Sequence, residues 1–133
     1  MSKLLLSFAF FAASISLHAQ SIESSSHSIA GYIKRDGTVE NSSHSTVGYI
    51  KSDGTIENSS HSTIGYVRNG TVENSSHSTQ GYIKSDGTVE NSSHSTIGYV
   101  KNGTVENSSH SAIGYANGIN PEWAAVAYFF FKF

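Results

Sequence analysis

The sequence predicts an all-β fold: a closed, pseudo-symmetric array of short β-hairpin repeats, about five petals of 16–17 residues each, with an apolar C-terminal cap segment. Three observations predict it. A unit of the form GYIKSDGTVENSSHSTI, read from Gly48 to Ile64, fills almost everything between Ser21 and Tyr115. Each copy holds two β-prone runs, GYIK and TVEN, joined by an Asp-Gly or Asn-Gly turn. Two leftover halves, Ile22-Glu23 at the start and Ile113-Gly114-Tyr115 at the end, have the composition to pair with each other and close a ring.

Residues 1–19 have a composition of their own. Lys3 gives a short positive start, the stretch from Leu4 to Leu17 is apolar apart from a few serines, and Leu17-His18-Ala19 ends on a small residue. This pattern reads as a signal peptide cut after Ala19, because the apolar run is short of the ~20 residues a membrane helix needs. The domain plan is therefore a signal peptide over 1–19, the hairpin array over 20–117 and the cap over 118–133 as part of the same domain. The mature chain is expected to be exported, with no transmembrane segment.

Aligned on the histidines, the copies are 21–37, 38–54, 55–70, 71–87, 88–103 and a partial one from Thr104 to Tyr115. A unit this short cannot bury its own apolar face, so its stability must come from neighbouring copies. Two loop lengths occur. Lys34, Lys51 and Lys84 are followed by three residues ending in Asp-Gly, which suits a type I turn with glycine in the left-handed position. Arg68 and Lys101 are followed by Asn-Gly alone, the strongest type I′ signal. Both loops leave the same partners: Tyr49 faces Glu57 and Ile50 faces Ile56, just as Tyr66 faces Glu73 and Val67 faces Val72. The change of period is a loop change, not a register change.

Five hairpins are complete, at 31–41, 48–58, 65–74, 81–91 and 98–107. Strict alternation places Thr46, Gly48, Ile50, Ile56 and Asn58 on one face and Val47, Tyr49, Lys51, Thr55 and Glu57 on the other. Each face then carries apolar bulk, which favours hairpins sandwiched between neighbours like blades around an axis. After Tyr115 the repeat ends: Asn117-Gly118 turns the chain, Asn120-Pro121-Glu122 reads as a helix start, and Trp123 to Phe133 is almost entirely apolar. A helix and a helical turn leading into a strand both fit this tail. Its expected role is to fold over one end or the axis of the array.

The signal peptide, the GYIKSDGTVENSSHSTI unit and an ending of the form GYA…EWAAV followed by a run of phenylalanines together resemble the 5-fold beta-flower proteins, small exported repeat proteins of Bacteroides-type bacteria. The resemblance implies a closed, petal-like β arrangement over nearly the whole chain. It implies no activity.

Composition excludes several classes. The net charge is −2, or −3 once Lys3 leaves with the signal peptide, and the charges recur at fixed repeat positions, so nucleic-acid binding is not expected. Without cysteine there are no disulfides, thiolate zinc sites or cysteine nucleophiles. His27, His44, His61, His77, His94 and His110 recur at one repeat position and are the candidate metal ligands, as a ring of imidazoles for Zn, Cu or Ni. Ring repetition spreads such ligands apart, so the array is expected to fold without metal or other cofactor. Ser, His and an acid recur in every unit, but a nucleophilic site needs one asymmetric constellation. Ordinary turn chemistry is the expected role of these serines and asparagines. The five Asn-Ser-Ser sites, at Asn41, Asn58, Asn74, Asn91 and Asn107, match the glycosylation acceptor pattern, whose meaning depends on the host; the bacterial resemblance implies that the match is a by-product of duplication.

Glu40, Glu57, Glu73, Glu90 and Glu106 could hold cations or glycan hydroxyls, and Tyr32, Tyr49, Tyr66, Tyr82, Tyr99 and Tyr115 could stack on sugars. Cross-strand Tyr–Glu pairing and packing between hairpins is the expectation for both series. The sequence thus points to a non-enzymatic structural or binding protein with a glycan or protein partner, and to the tail as an oligomer contact if it lies outside the core. An open solenoid that stacks into amyloid-like fibres is the alternative. A histidine-mediated metal-binding protein is a third reading.

Overall fold

Strand formation follows the Asp-Gly and Asn-Gly turns. The computed structural model describes residues 20–132, so the signal peptide expected over 1–19 and Phe133 lie outside the described residues. The strands are β1 (Gln20–Ser24), β2 (Ile29–Ile33), β3 (Thr38–Asn41), β4 (Thr46–Ile50), β5 (Thr55–Asn58) and β6 (Thr63–Arg68). They continue as β7 (Thr71–Asn74), β8 (Thr79–Ile83), β9 (Thr88–Asn91), β10 (Thr96–Lys101), β11 (Thr104–Asn107) and β12 (Ala112–Tyr115). Each pairs antiparallel with its sequence neighbours, and β1 pairs with β12, so the sheet is a closed barrel.

The expected registers are those found: Tyr49 opposite Glu57 and Ile50 opposite Ile56, Tyr66 opposite Glu73 and Val67 opposite Val72. The turns match too. Gly54 has φ 90° and donates its N–H to the Lys51 carbonyl, the three-residue geometry, whereas Asn69 and Gly70 have φ 50° and 77°, the type I′ pair. The half units meet as expected, Glu23 opposite Tyr115 and Ser24 opposite Gly114. The ring therefore holds five continuous hairpins and a sixth assembled from the two ends of the array.

Two expectations are corrected. The hairpins are not blades packed face to face; they lie edge to edge in one sheet with a single core and a wet outer face. Strict alternation also fails at a β-bulge present in every unit. Gly48 lies opposite Val39, but Thr46 lies opposite Glu40, which leaves Val47 as the extra residue between them. Val47 packs against the core, as do Ile64, Ile97 and Ile113 at the same position. The bulge thus moves onto the core side the apolar bulk that alternation assigned to the outside.

Barrel size explains the tail. Eight strands already enclose an interior just wide enough for their own side chains to fill, and twelve enclose more. The strands supply only slim inward residues here, such as Ile50, Ile56, Val72 and Val89, together with glycine. The tail fills what remains. Asn120 caps α1 (Pro121–Ala125), its Oδ1 accepting from the Glu122 N–H at 2.9 Å, and a wider π-helical turn follows over Val126–Phe130. Ala124, Ala125 and Val126 are fully buried among the strand residues, and half-buried Trp123 packs on the same core.

Four consecutive aromatics then meet four successive repeat glycines. A Cβ built at Gly114, Gly98 or Gly81 would stand 2.6 Å from Cε1 of Tyr128, Phe129 or Phe130 respectively, and one at Gly65 would stand 2.8 Å from Cε1 of Phe131. Glycine is required at these positions because the backbone carbonyl of the facing glutamate and the ring together occupy the space; the carbonyl alone does so at Gly31. A π turn advances less per residue than the ~100° of an α-helix, nearer the roughly 60° between neighbours in a six-unit ring. Tyr128 also ties the seam: its hydroxyl donates to the Glu23 carbonyl at 2.6 Å and lies 3.1 Å from that of Tyr115. Burial pushes its pKa up to about 12, so it stays a donor.

Replacing Asn69-Gly70 by Ser-Asp-Gly should preserve folding and change stability by about 1 kcal/mol or less, as measured by urea denaturation, because register is independent of loop length. Truncation after Tyr115 should abolish cooperative unfolding in calorimetry. Burying Val126 alone contributes about 1.5–3 kcal/mol, and an unfilled lumen has no substitute for the aromatics beyond it.

Candidate functional site

The recurrent polar residues converge on six stations around the outer wall. In each, a tyrosine faces a glutamate across a strand pair, and the histidine four residues after that glutamate lies flat on the tyrosine. Tyr49 and His61 stack with centroids 4.4 Å apart, Tyr82 and His94 with 4.2 Å. The sixth station is built across the seam, His27 on Tyr115 at 4.0 Å.

The loop that carries each histidine explains this placement. In Asn58-Ser59-Ser60-His61-Ser62, the His61 N–H donates to the Asn58 carbonyl, and the Asn58 side chain accepts from the Ser60 and Ser62 N–H groups at 3.0 Å. His61 has φ 63°, and the histidines of the other stations 64°. The left-handed region is unfavourable for a residue with a Cβ and is the usual place for glycine. Here it turns the imidazole back onto Glu57 and Tyr49. Sequence reasoning missed this, although the signal was present: Ser-Ser-His has the same loop length as Ser-Asp-Gly, with histidine in the glycine position. The asparagines of Asn-Ser-Ser are thereby explained as loop organisers.

Loop length sorts the cations. Where the turn has three residues, the lysine reaches the glutamate: Lys34 Nζ to Glu40 Oε2 at 3.1 Å, Lys51 to Glu57 and Lys84 to Glu90 at 3.0 Å. The other carboxylate oxygen takes the imidazole, with His61 Nδ1 3.1 Å from Glu57 Oε1. Where the turn has two residues, the cation lies over the tyrosine of its own strand, Arg68 4.8 Å from the Tyr66 centroid and Lys101 4.7 Å from that of Tyr99. The glutamates of those units are correspondingly more open, Glu73 at 26% and Glu106 at 24% against 8% for Glu57. At the seam the lysine position holds Asn117, and His27 Nδ1 is 3.8 Å from Glu23.

The chain as a whole matches one family. The family described as 5-fold beta-flower protein matches residues 19–132. The chain belongs to the 5-fold beta-flower family. No curated protein and no solved structure matches it. In this beta-flower the six candidate metal ligands are distributed one to a loop, each on its own glutamate and tyrosine. No group of three or more His, Asp or Glu side chains among the described residues is placed to hold a metal ion. The tyrosines proposed for sugar stacking have one ring face covered by histidine, and Tyr66 and Tyr99 have a cation over the ring as well. The Tyr–Glu pairing expected from sequence is present.

Lysine and then imidazole hydrogen bonds hold the carboxyls of Glu40, Glu57 and Glu90 below their ordinary range. Backbone N–H bonds from Thr38, Thr55 and Thr88 do the same for Asp36, Asp53 and Asp86. A folded-state pKa below the unfolded value contributes stability that is complete above the carboxylate range and is lost as pH falls through the folded value. The melting temperature should therefore hold near neutrality and decline from ~pH 5 downward. Lys51→Met should shrink that decline. His61→Ala should destabilise more than His61→Gly by about 1 kcal/mol in chemical denaturation, because both lose the ring but only alanine retains the left-handed penalty.

Proposed function

We propose that this beta-flower protein is an exported, non-enzymatic structural or binding protein. The observation that carries the reading is the fate of its reactive groups. Imidazole, carboxylate and tyrosine ring are engaged with one another in nearly the same way at all six stations, with a cation added at five, and there they hold loops and strands together. Catalysis needs one asymmetric set of groups with room for a substrate at its centre. What such stations present outward is a fixed shape, the exposed edges of the stacked imidazoles and a rim of serine hydroxyls. The positive start at Lys3, the apolar run from Leu4 to Leu17 and the small residue Ala19 support export with residues 1–19 removed.

Closure of the sheet bears on the alternative of an open, stacking solenoid, because β1 and β12 use their edges on each other. An exposed edge is what fibre growth requires.

Expression of the full chain in an exporting bacterial host should yield protein starting at Gln20 by N-terminal sequencing. Purified without an affinity tag, it should carry no stoichiometric metal by mass spectrometry, and its melting temperature should not change on chelation. Stoichiometric metal lost together with a large drop in melting temperature would sink this reading.

A further inference from the structure

The two short turns break the pseudo-symmetry of the ring. Asn69-Gly70 and Asn102-Gly103 are each one residue shorter than Ser85-Asp86-Gly87, the turn between them, and the missing residues leave recesses beside it. The central recess is bounded by Asn69, Lys84, Asp86 and Asn102 and closed on its inner side by Asn120-Pro121-Glu122, where the tail enters the barrel. Two further recesses adjoin it at Asn69, which lines all three. One lies on the outer wall beside Tyr82 and His94; the other reaches Trp123 beside Arg68.

We propose that this branched groove is a binding site for a neutral oligosaccharide. The proposal rests on the reading of the chain as a binding protein and gives that reading a place and a ligand class. Three observations carry it. The amide side chains of Asn69 and Asn102 are exposed at the recess. Asn120 uses its Oδ1 in capping Glu122, which leaves its NH2 group to donate. Such amides match paired hydroxyls, which both donate and accept.

The charges lining the groove as a whole balance, four cations against four acids with Lys84 paired to Glu90, which favours an uncharged polar ligand over an anion or a cation. Each adjoining recess is also lined by a partly exposed aromatic, Tyr82 or Trp123. Tyr82 differs from its counterparts in the short-turn units. Lys84 is drawn away to Glu90, so the ring face opposite His94 carries no cation, whereas Tyr66 and Tyr99 have one. An aromatic face beside amides and hydroxyls suits the apolar C–H face and polar rim of a sugar ring.

The test uses the mature chain and a panel of neutral gluco-, manno-, galacto- and xylo-oligosaccharides in isothermal titration calorimetry. Three proteins are compared: wild type, the variant with Asn69-Gly70 replaced by Ser-Asp-Gly, which fills the recess while keeping the register, and the double variant Asn69→Ala/Asn102→Ala. Thermal melts confirm folding. Wild type should bind at least one member of the panel, and both variants should weaken that binding about tenfold or more, as expected when a few polar contacts are lost. Undiminished binding by the loop variant would overturn the groove and leave the reading as a binding protein intact. Binding to none of the panel would overturn the ligand class. Cleavage of a bound oligosaccharide, lost in the loop variant, would instead overturn the non-enzymatic reading and support the groove.

Discussion

A twelve-stranded barrel is too wide for short strands to fill, and this constraint governs the rest of the molecule. The repeats contribute valine, isoleucine and glycine to the interior and nothing larger, so the lumen exists only as a socket. The C-terminal segment is the matching part. Its alanines and valine descend where space is narrow, and its rings spread where the repeat glycines stand. Neither half is stable in isolation on this account. The array would enclose a void, and the tail would expose a run of aromatics to water.

The outer wall solves a different problem with equally few residue types. Its Ser- and Asn-rich loops have little apolar material to pin them, and each is fixed by one histidine in a strained backbone position. The ring stacks on tyrosine while its Nδ1 meets glutamate, and these contacts offset the conformational cost. Lysine completes the arrangement only where the neighbouring turn is long enough. A single-residue difference in a turn therefore decides whether a carboxylate is closed in or left open, with no change in strand register.

Much of this was legible in the sequence, and the rest was hidden for identifiable reasons. Asp-Gly and Asn-Gly specify turn type, so the hairpins, their partners and the pairing of Ile22-Glu23 with the last strand could be read directly. The bulge could not. Thr46-Val47-Gly48 alternates acceptably on paper, and only the pairing of Thr46 with Glu40 reveals the extra residue. Gly65, Gly81, Gly98 and Gly114 carry no local sign of their role, because their partners, aromatics of the tail, are remote in sequence. The tail's π turn has no marker of its own; it follows from the angular spacing of the sockets. The stations were legible as residue series but not as stacks, since that depends on the left-handed histidine.

The one-to-one meeting of tail aromatics with repeat glycines also bears on how such a gene can change. Near-identical tandem units are prone to unequal recombination, which adds or removes whole copies and, with them, whole hairpins of circumference. The sheet alone would tolerate this, because any unit can pair with any other. The tail would not: its four rings sit on four consecutive repeat glycines at a fixed angular step, so a ring one unit larger or smaller would change the step between glycines and unseat the rings. The C-terminal segment thus acts as a gauge of copy number, selecting at the level of folding the array length that its own sequence encodes.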